Sequence, residues 1–480
     1  MKVSGFQFAH NEHMKPWCYL ILLSLKFVEV AAQPSNQSLI ILPGVVIDTV
    51  RCDTNQGQSY AAYVPKNYNA SLTWPVIFFY EPATRGSLPV TLYQSQAEKY
   101  QCILIGSNNS RNGPFSASEQ AEDAIFLDVS KRFSVDKSKL FISGFSGGAR
   151  AAVHLALRRK KYAGIIACGA AFPDTDKLTD SLVIPFVELI GHLDFNFVEA
   201  IETNDYLNRI QYPHSLILFQ GTHDWPHPEI YDQAIFWQLS TQYKIDKSGI
   251  TDSMIHLNES FVLSRVKSQL DSGDVYLAWL SIQQAIAAPS RRSAKIDSLD
   301  KMIEANSQLG KQQKEFNNLL IVEVQLRENF YGRFFRLVGA VNDSLFKESE
   351  WHQFIGMVKQ RMESRNRLEA QMGERVYQCM RIACYERFRK QRDDQDHFHA
   401  VLTMRLLTLL ENNEVVYFLM AREYAAMKKK KEAIRALSKS IDLGLKDKKL
   451  IEKNREFDFL TTEKKFNALL HQLDLNSNKN

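Results

Sequence analysis

The sequence predicts an α/β domain followed by an all-α region. Between residues 59 and 243, short apolar segments alternate with segments of helical periodicity, and each apolar segment is continuous along the chain. Continuous apolar strands are buried on both faces, which is typical of a mostly parallel sheet covered by helices. From about residue 250, Gly and Pro become rare, charge rises and apolar residues recur at helical spacing. A chain of 480 residues is long enough for two or three domains.

The composition is that of a folded protein without a strong electrostatic preference. Hydrophobic residues make up 45% of the chain and charged residues 24%, and the formal net charge of +5 is small for this length. Such a charge gives no reason to expect nucleic acid as a partner. The lysines near the end of the chain are typical of a solvated helix surface.

Residues 1–32 are predicted to be a signal peptide. Lys15 precedes an apolar segment at 16–25, and Val30 and Ala32 occupy the −3 and −1 positions of a small-residue cleavage site. The apolar segment is too short to span a bilayer, so we expect no membrane span in the mature chain. The pattern predicts a secreted or periplasmic protein.

Five cysteines would remain after this cleavage: Cys52, Cys102, Cys168, Cys379 and Cys384. An odd number at irregular spacing is not typical of a disulfide framework, although a Cys52–Cys102 pair stays open if their strands are neighbours. Cys379 and Cys384 are five positions apart on a predicted helix, so they do not share a face for metal binding. We expect mostly buried free thiols and no metal site.

The elements of the α/β domain follow one another in regular alternation. The predicted strands cover residues 59–64, 74–80, 102–106, 140–143, 163–169, 184–190 and 215–219. The predicted helices among them cover residues 92–100, 118–133 and 149–159. Because catalytic side chains of such sheets belong at the carboxyl ends of the strands, polar residues directly after each strand are the candidates.

A Gly-x-Ser-x-Gly motif stands between the strand at 140–143 and the helix that follows it. Such a tight turn forces its central residue, Ser146, into a strained backbone conformation, which the small neighbours Gly144 and Gly148 accommodate. The turn would hold the serine hydroxyl above the sheet edge. The N–H of Gly147, at the start of the helix, would face a developing oxyanion. The motif therefore predicts a nucleophile elbow.

Two further polar groups lie just past strand ends. Asp194 follows the strand at 184–190, and His223 follows the strand at 215–219. The chain order of serine, acid and histidine is one of three orders known for serine hydrolase triads. In this hypothesis His223 accepts the proton of Ser146 as a general base, and Asp194 holds the imidazole tautomer and stabilises the imidazolium.

Neighbouring residues are alternatives for these roles. His227 is expected in the loop before the last helix of the domain, and His192 could line the pocket. Asp224 could replace Asp194, although a residue adjacent to the histidine usually points its side chain elsewhere. We therefore assign the base to His223 and the acid to Asp194.

The segment from about residue 60 to 243 resembles the α/β-hydrolases described as polyhydroxybutyrate-depolymerase-like or feruloyl-esterase-like, especially their secreted bacterial members. Four segments carry the resemblance: residues 106–110, 141–148, 191–196 and 223–226. It covers a little under half of the chain. The resemblance implies an α/β-hydrolase fold and a carboxylic ester hydrolase with a Ser/Asp/His triad and no cofactor.

The loop after the strand at 74–80 departs from this family. It has the sequence EPATRG at residues 81–86, where many relatives have a His-Gly pair that shapes the second oxyanion donor. Ala83 and Thr84 are the nearest candidates for that donor, beside Gly147.

The region from 249 to 480 is predicted to be a helical domain with tetratricopeptide-like repeats. The pattern is clearest at 413–445, where six residues match the spacing of that repeat: Tyr417, Met420, Ala421, Tyr424, Ala433 and Leu437. A plain helical bundle is the alternative. Repeats of this kind present a concave surface to peptides, so a protein or peptide partner is expected at this domain.

These features together predict a secreted or periplasmic serine hydrolase in three parts: a signal peptide at 1–32, an α/β-hydrolase domain at 33–248 and a helical binding domain at 249–480. The expected reaction is hydrolysis of a carboxylic ester, small or polymeric, through an acyl-enzyme, with no cofactor. Hydrolysis of a peptide bond stays open. The alternative is a catalytically degenerate hydrolase fold that serves as a binding or scaffold protein, which the altered loop at 81–86 favours.

The cleavage site yields a prediction about the mature protein. Protein recovered from its native host should begin at or near Gln33 and lie outside the cytoplasm, because Val30 and Ala32 resemble a cleavage site. Mass spectrometry of the intact protein identifies its first residue. A mature protein that retains Met1 or Met14 would contradict the prediction.

Overall fold

The computed structural model describes residues 41–170, 172, 183–243, 251–287 and 293–477. The predicted signal peptide lies outside these residues. The chain divides into two compact units, and the division falls between residues 318 and 319. We call the first the α/β unit and the second the helical unit.

The secondary structure of the α/β unit agrees with the predicted alternation. Its strands are β1 Ile47–Cys52, β2 Asn55–Tyr63, β3 Trp74–Tyr80, β4 Ile103–Ser107, β5 Val135–Phe145, β6 Gly164–Cys168, β7 Phe186–Gly191 and β8 His214–Phe219. Its helices are α1 Ser87–Leu92, α2 Gln94–Tyr100, α3 Ser116–Arg132, α4 Gly147–Arg159, α5 Phe197–Arg209, α6 Pro228–Tyr243, α7 Asp252–Asp271, α8 Val275–Ala287 and α9 Ala294–Glu304. The seven predicted strands are present, whereas β1 was not predicted because polar residues interrupt it.

The eight strands form one sheet in the order β1-β2-β4-β3-β5-β6-β7-β8. β2 pairs antiparallel with both β1 and β4. From β4 to β8 in this order all neighbouring strands are parallel. After β3 the chain places β4 on one side of it and β5 on the other. The connections that follow β3 and β5 therefore run in opposite directions across the sheet. Open α/β sheets place their sites at such a switch point, beside the carboxyl ends of the strands. The predicted mostly parallel α/β-hydrolase sheet is confirmed.

Side chains along the central strands alternate between two hydrophobic cores. On β3, Val76 and Phe78 lie in the core that α3 and α4 cover, whereas Ile77 and Phe79 lie in the core that α2 and α6 cover. All four side chains are buried. Burial on both faces explains why the central strands are continuously apolar in the sequence.

The α/β unit extends past the boundary at residue 248 that the sequence suggested. Arg265 on α7 donates a hydrogen bond of 3.1 Å to Gln233 on α6. Phe316 packs against Phe197, the first residue of α5, with their ring centroids 6.1 Å apart. Because both rings are buried, a chain that ended near 248 would expose the apolar surface of Phe197 to water. The hydrogen bond from α7 and the packing of Phe316 therefore join the residues up to 318 to the same compact unit as the sheet.

The remaining helices are α10 Leu309–Val338, α11 Glu348–Met362, α12 Arg367–Asp393, α13 His397–Leu410, α14 Glu414–Ala426, α15 Lys430–Asp442, α16 Lys448–Glu452 and α17 Lys464–Ser477. Two short 3-10 helices lie at Asp343–Leu345 and Arg455–Leu460. The division between the units falls within α10. One hydrophobic core runs through the helical unit from α10 to α17. The predicted all-α region is confirmed.

The segment with the clearest repeat pattern forms the helix pair α14 and α15. Ser440 Oγ near the end of α15 donates to the carbonyl of Glu414 at the start of α14 at 2.7 Å, so the two helices run antiparallel. Ala421 and Ala433 are fully buried, in keeping with helices that approach closely at small residues. The assignment of this pair as a tetratricopeptide-like repeat stays a prediction.

The five cysteines that the structure describes are buried and free. Burial raises the pKa of Cys52 and of Cys102 to about 12. Both thiols therefore stay protonated at neutral pH and are poor nucleophiles. The possible Cys52–Cys102 disulfide is absent.

The contact between Phe316 and Phe197 yields a prediction about fragments. A fragment of residues 33–248 should melt about 10 °C or more below a fragment of residues 33–318, because loss of a buried phenylalanine contact typically costs ~3–5 kcal/mol. Thermal unfolding followed by circular dichroism measures both. Equal melting temperatures would mean that α7 to α9 contribute nothing to the fold of the sheet.

Candidate active site

Ser146 stands at the turn between β5 and α4. Its backbone has φ 52° and ψ −122°, a region that residues with side chains rarely adopt. Its N–H donates to the carbonyl of Cys168, at the end of β6, at 2.8 Å, and this bond holds the turn against the sheet. The residue is only 4% exposed. The strained turn that the Gly-x-Ser-x-Gly motif predicts is present.

Two glycines allow this turn because they let backbone segments touch. A Cβ at Gly148 would overlap the carbonyl oxygen of Tyr80 at the end of β3, and a Cβ at Gly144 would overlap the carbonyl oxygen of Gly148. A backbone oxygen cannot swing aside as the end of a long side chain can. The two glycines therefore bring α4 directly against the carboxyl ends of β3 and β5.

The side chains of Ser146, His223 and Asp194 form one hydrogen-bonded line. His223 Nε2 lies 2.9 Å from Ser146 Oγ, and His223 Nδ1 lies 2.9 and 2.8 Å from the two carboxylate oxygens of Asp194. A carboxylate at Nδ1 keeps the imidazole proton on that nitrogen, so Nε2 presents its lone pair to the serine hydroxyl. The fold thus brings together the three residues nominated from three strand ends.

The alternative residues have other surroundings. Asp224 is exposed, and its Oδ1 accepts the N–H of Trp225 at 2.8 Å. His227 is also exposed, directly before α6. His192 is buried, and its ring lies 6.0 Å from that of Phe197. Asp224 and His227 therefore face water rather than the buried hydrogen-bonded line.

Aromatic rings enclose the imidazole of His223. The ring centroids of Phe145 and Phe195 lie 4.7 and 4.2 Å from the imidazole centroid. The loop beyond His223 is tied down by Tyr93, whose hydroxyl donates to the carbonyl of Pro226 at 2.8 Å. Apolar walls and a fixed loop hold the imidazole in one orientation and strengthen its hydrogen bonds through a low local dielectric.

Further buried charges lie in the field of Asp194. Arg150 on α4 makes a two-bond ion pair with Glu199 on α5, at 2.5 and 2.6 Å. Burial by itself lowers the pKa of Arg150, but the charge and hydrogen bonds of Glu199, together with the nearby carboxyl groups, outweigh burial and raise that pKa, so Arg150 stays charged. Burial, reinforced by the charge of Glu199, raises the pKa of Glu188 on β7 well above its usual range. This shift favours the neutral form of Glu188 and so reduces the negative charge near Asp194.

Gly147 lies at the N-terminus of α4, and its role as an oxyanion donor stays a prediction. Gly147 is the first residue of α4, and the first N–H groups of a helix have no acceptor within the helix. The positive end of the helix dipole adds to the field at this N–H. A negative oxygen beside Ser146 would therefore find a donor there.

The two other nominated donors are engaged within their own loops. The N–H of Ala83 donates to Glu81 Oε2 at 2.7 Å, and the N–H of Thr84 donates to the carbonyl of Ser110 at 3.1 Å. The Glu81 carboxylate is fully buried and also pairs with Arg85. The carboxylate lies against its own loop and accepts the Ala83 N–H, which an oxyanion donor would need to have free. In this arrangement neither Ala83 nor Thr84 has an N–H available for an oxyanion.

Asn196 supports the acid, and the sequence analysis does not nominate it. Its N–H donates to Asp194 Oδ1 at 2.8 Å, and its Nδ2 donates to the carbonyl of Gly169 at 2.8 Å. The Asp-x-Asn spacing could have indicated the first bond, since Asp side chains often accept from the N–H two residues later. The second bond depends on a distant loop and has no sequence signal.

Two negative findings concern the described part of the chain. No group of three or more His, Cys, Asp and Glu side chains there could hold a metal ion. No helix among those residues combines the length and the apolar character that a bilayer span requires.

Solved structures of several hydrolases and esterases resemble about two fifths of this chain. S-formylglutathione hydrolase from Staphylococcus aureus is 17% identical over 42% of this chain and 98% of its own, with a TM-score of 0.33. A ferulic acid esterase from the fungus Anaeromyces mucronatus is 14% identical over 41% of this chain and 90% of its own, with a TM-score of 0.32. Esterase B from Lactobacillus rhamnosis is 13% identical over 43% of this chain and 90% of its own, with a TM-score of 0.36.

The likeness to these hydrolases is one of fold. No family model and no curated protein matches the chain. The fold and the hydrogen-bonded line together define the class of candidate site: a buried serine on a strand-to-helix turn with an imidazole and a carboxylate behind it.

The contact between Gly148 and Tyr80 yields a prediction about stability. Gly148→Ala should lower the melting temperature by about 5 °C or more, because a methyl group forced against a backbone oxygen costs ~1–3 kcal/mol. Gly310→Ala on α10 is the matched control, since its Cβ would meet nothing within 4 Å and alanine favours a helix. Differential scanning calorimetry compares the two. Equal melting temperatures would contradict the close packing at the turn.

Proposed function

We propose that this protein is a serine hydrolase that cleaves carboxylic esters through an acyl-enzyme on Ser146. The observation that carries the proposal is the buried line from Ser146 Oγ through His223 to Asp194, with 2.9 Å between Oγ and Nε2. Distances of this size permit direct proton transfer between nucleophile and base. The strained turn supports the same conclusion, because it presents the serine side chain to the base at the sheet edge.

Acylation begins when Ser146 Oγ attacks the ester carbonyl carbon. The hydroxyl proton passes to His223 Nε2, and the carbonyl π-electrons move to the oxygen, which becomes an oxyanion. The Gly147 N–H then donates to that oxyanion. The imidazolium returns its proton to the departing alkoxide oxygen, so that an alcohol leaves and the acyl group stays on Ser146. Asp194 balances the charge of the imidazolium throughout.

Deacylation repeats these steps with water as the nucleophile. His223 takes one proton from water as the oxygen attacks the acyl carbon, and the same proton then goes to Ser146 Oγ as the bond to serine breaks. A carboxylic acid leaves and the enzyme is restored. The two half-reactions require no cofactor and no metal ion.

The proposal includes a location and a role for the helical unit. The predicted signal peptide at 1–32 supports export from the cytoplasm. The antiparallel pair α14 and α15, with its buried Ala421 and Ala433, supports a tetratricopeptide-like unit that binds a protein or peptide. Such binding would bring the hydrolase to its substrate or to a partner.

One observation favours a second function, that of a binding protein without catalysis. The Glu81 carboxylate occupies the N–H of Ala83, so the loop after β3 offers a weaker oxyanion site than the predicted one. Loss of one oxyanion donor typically costs about 100- to 1,000-fold in kcat. A fold of this kind could retain its triad while serving as a scaffold.

The catalytic proposal predicts the effects of substitutions on ester hydrolysis. Ser146→Ala or His223→Ala should lower kcat for a short-chain nitrophenyl ester by about 1,000-fold or more, because the triad acts as a unit. Asp194→Asn should cost somewhat less. His227→Ala and Asp224→Asn are matched controls, since both residues are exposed, and should stay within about twofold of wild type.

Labelling with a fluorophosphonate probe separates the two functions. The enzyme should be labelled at Ser146, and Ser146→Ala should abolish the labelling because the probe bonds covalently to an activated serine. Full activity in His223→Ala would reject the assignment of the base. An unlabelled, inactive wild-type protein would favour the binding protein.

A further inference from the structure

Stabilisation of an oxyanion needs donors in addition to the Gly147 N–H, and residues 82–84 of the loop after β3 do not offer one. Pro82 has no N–H, the N–H of Ala83 is held by Glu81, and that of Thr84 is held by the carbonyl of Ser110. Hydrolases usually aim at least two donors at the developing charge. A second donor must therefore come from elsewhere in the α/β unit.

Asn112 is held next to the loop after β3. Its N–H donates to the carbonyl of Pro82 at 3.0 Å, and the adjacent Arg111 forms a β-bridge with Ala83. The loop after β4 is thereby tied to the loop after β3, at the switch point of the sheet. Asn112 is in this way held beside the segment that shapes the oxyanion site in related folds.

The carboxamide of Asn112 packs directly against Gly147. A Cβ at Gly147 would overlap Asn112 Oδ1, and Asn112 Nδ2 lies 2.9 Å from that Cβ position. Only glycine leaves room for the amide there. The side chain thus lies beside the residue whose N–H is the first oxyanion donor.

The Nδ2 group of Asn112 is buried, and no described residue accepts a hydrogen bond from it. Most buried side-chain donors in folded proteins have a partner, because an unpaired buried N–H weakens the fold. An unpaired amide donor packed against Gly147, the residue after Ser146, is explained if its acceptor is a substrate oxygen that is present only during the reaction.

We propose that Asn112 Nδ2 is the second oxyanion donor of this enzyme, in place of a backbone N–H from the loop after β3. The inference rests on the proposed function of Ser146. A neutral carboxamide can donate to the oxyanion without a change of charge, and asparagine side chains serve this purpose in another serine hydrolase fold. The Glu81–Arg85 ion pair fits this arrangement, because Arg85 neutralises the carboxylate that took the N–H of Ala83.

The test measures nitrophenyl ester hydrolysis by the full chain. Asn112→Ala should lower kcat about 100-fold and leave KM within about threefold, because the donor acts on the oxyanion and not on the ground-state ester. Asn112→Asp has the same size but cannot donate when ionised, so it should lose at least as much. Asn109→Ala is the matched control in the same loop. Its side chain binds the N–H of Ser59 at 2.8 Å and the carbonyl of Gly57 at 3.1 Å, so kcat should stay within about threefold.

A second measurement separates catalysis from folding. A trifluoromethyl ketone that mimics the tetrahedral intermediate should bind Asn112→Ala more weakly than wild type, by about the same factor as the decrease in kcat. A purely structural role would instead lower the melting temperature and leave this affinity unchanged. Circular dichroism establishes that each variant is folded. If Asn112→Ala does not fold, the isosteric Asn112→Asp decides.

Two outcomes would overturn the inference, and they differ in whether the proposed function survives. Folded Asn112 variants with kcat within about threefold of an active wild type would show that the amide is not a donor, while the proposed function would stand. A wild-type protein that neither hydrolyses esters nor reacts with a fluorophosphonate at Ser146 would end both the proposed function and the role of Asn112.

Discussion

The backbone conformation of Ser146 is the constraint on which the α/β unit depends. A non-glycine residue at φ 52° persists only where its surroundings over-determine it. Here the Ser146 N–H is held by the carbonyl of Cys168, and the missing Cβ of Gly148 lets α4 rest on the carbonyl of Tyr80. Both contacts require β3, β5 and β6 to lie side by side. The two apolar cores that bury the sheet therefore also fix the position of a polar residue at its edge.

The buried charges behind Ser146 are arranged so that a single carboxylate faces the imidazole. A buried charge is costly unless it is paired and hydrogen-bonded, and Asp194 is met by His223 and by the N–H of Asn196. Glu188 lies nearby, and burial, reinforced by the charge of Glu199, raises its pKa well above the usual range of a carboxyl group. The imidazolium formed during proton transfer would thus have the carboxylate of Asp194 as its direct partner.

The loops after β3 and β4 behave as one structure. Residues 82–84 and 110–112 are joined by backbone hydrogen bonds and a β-bridge, so a change in one loop is felt in the other. In the first loop Pro82 has no N–H, and the Glu81 carboxylate holds the N–H of Ala83. The absence of a side chain at Gly147 admits the Asn112 amide from the second loop. Gly147, the glycine directly after Ser146, therefore matters to the site as much as the serine does.

The sequence by itself determined the fold class and the three residues of the hydrogen-bonded line. Strand periodicity is local, and polar residues just past buried strands must meet at one sheet edge, so Ser146, Asp194 and His223 could be found from their positions alone. Only the tertiary structure decided three other matters: the extent of the α/β unit, the fate of the Ala83 N–H and the place of Asn112. Each depends on a contact between residues distant in sequence or on the direction of one side chain. The contact between Phe316 and Phe197 depends on packing, and the bond from the Ala83 N–H to the Glu81 carboxylate depends on the direction of one side chain. Neither leaves a periodic signal in the sequence.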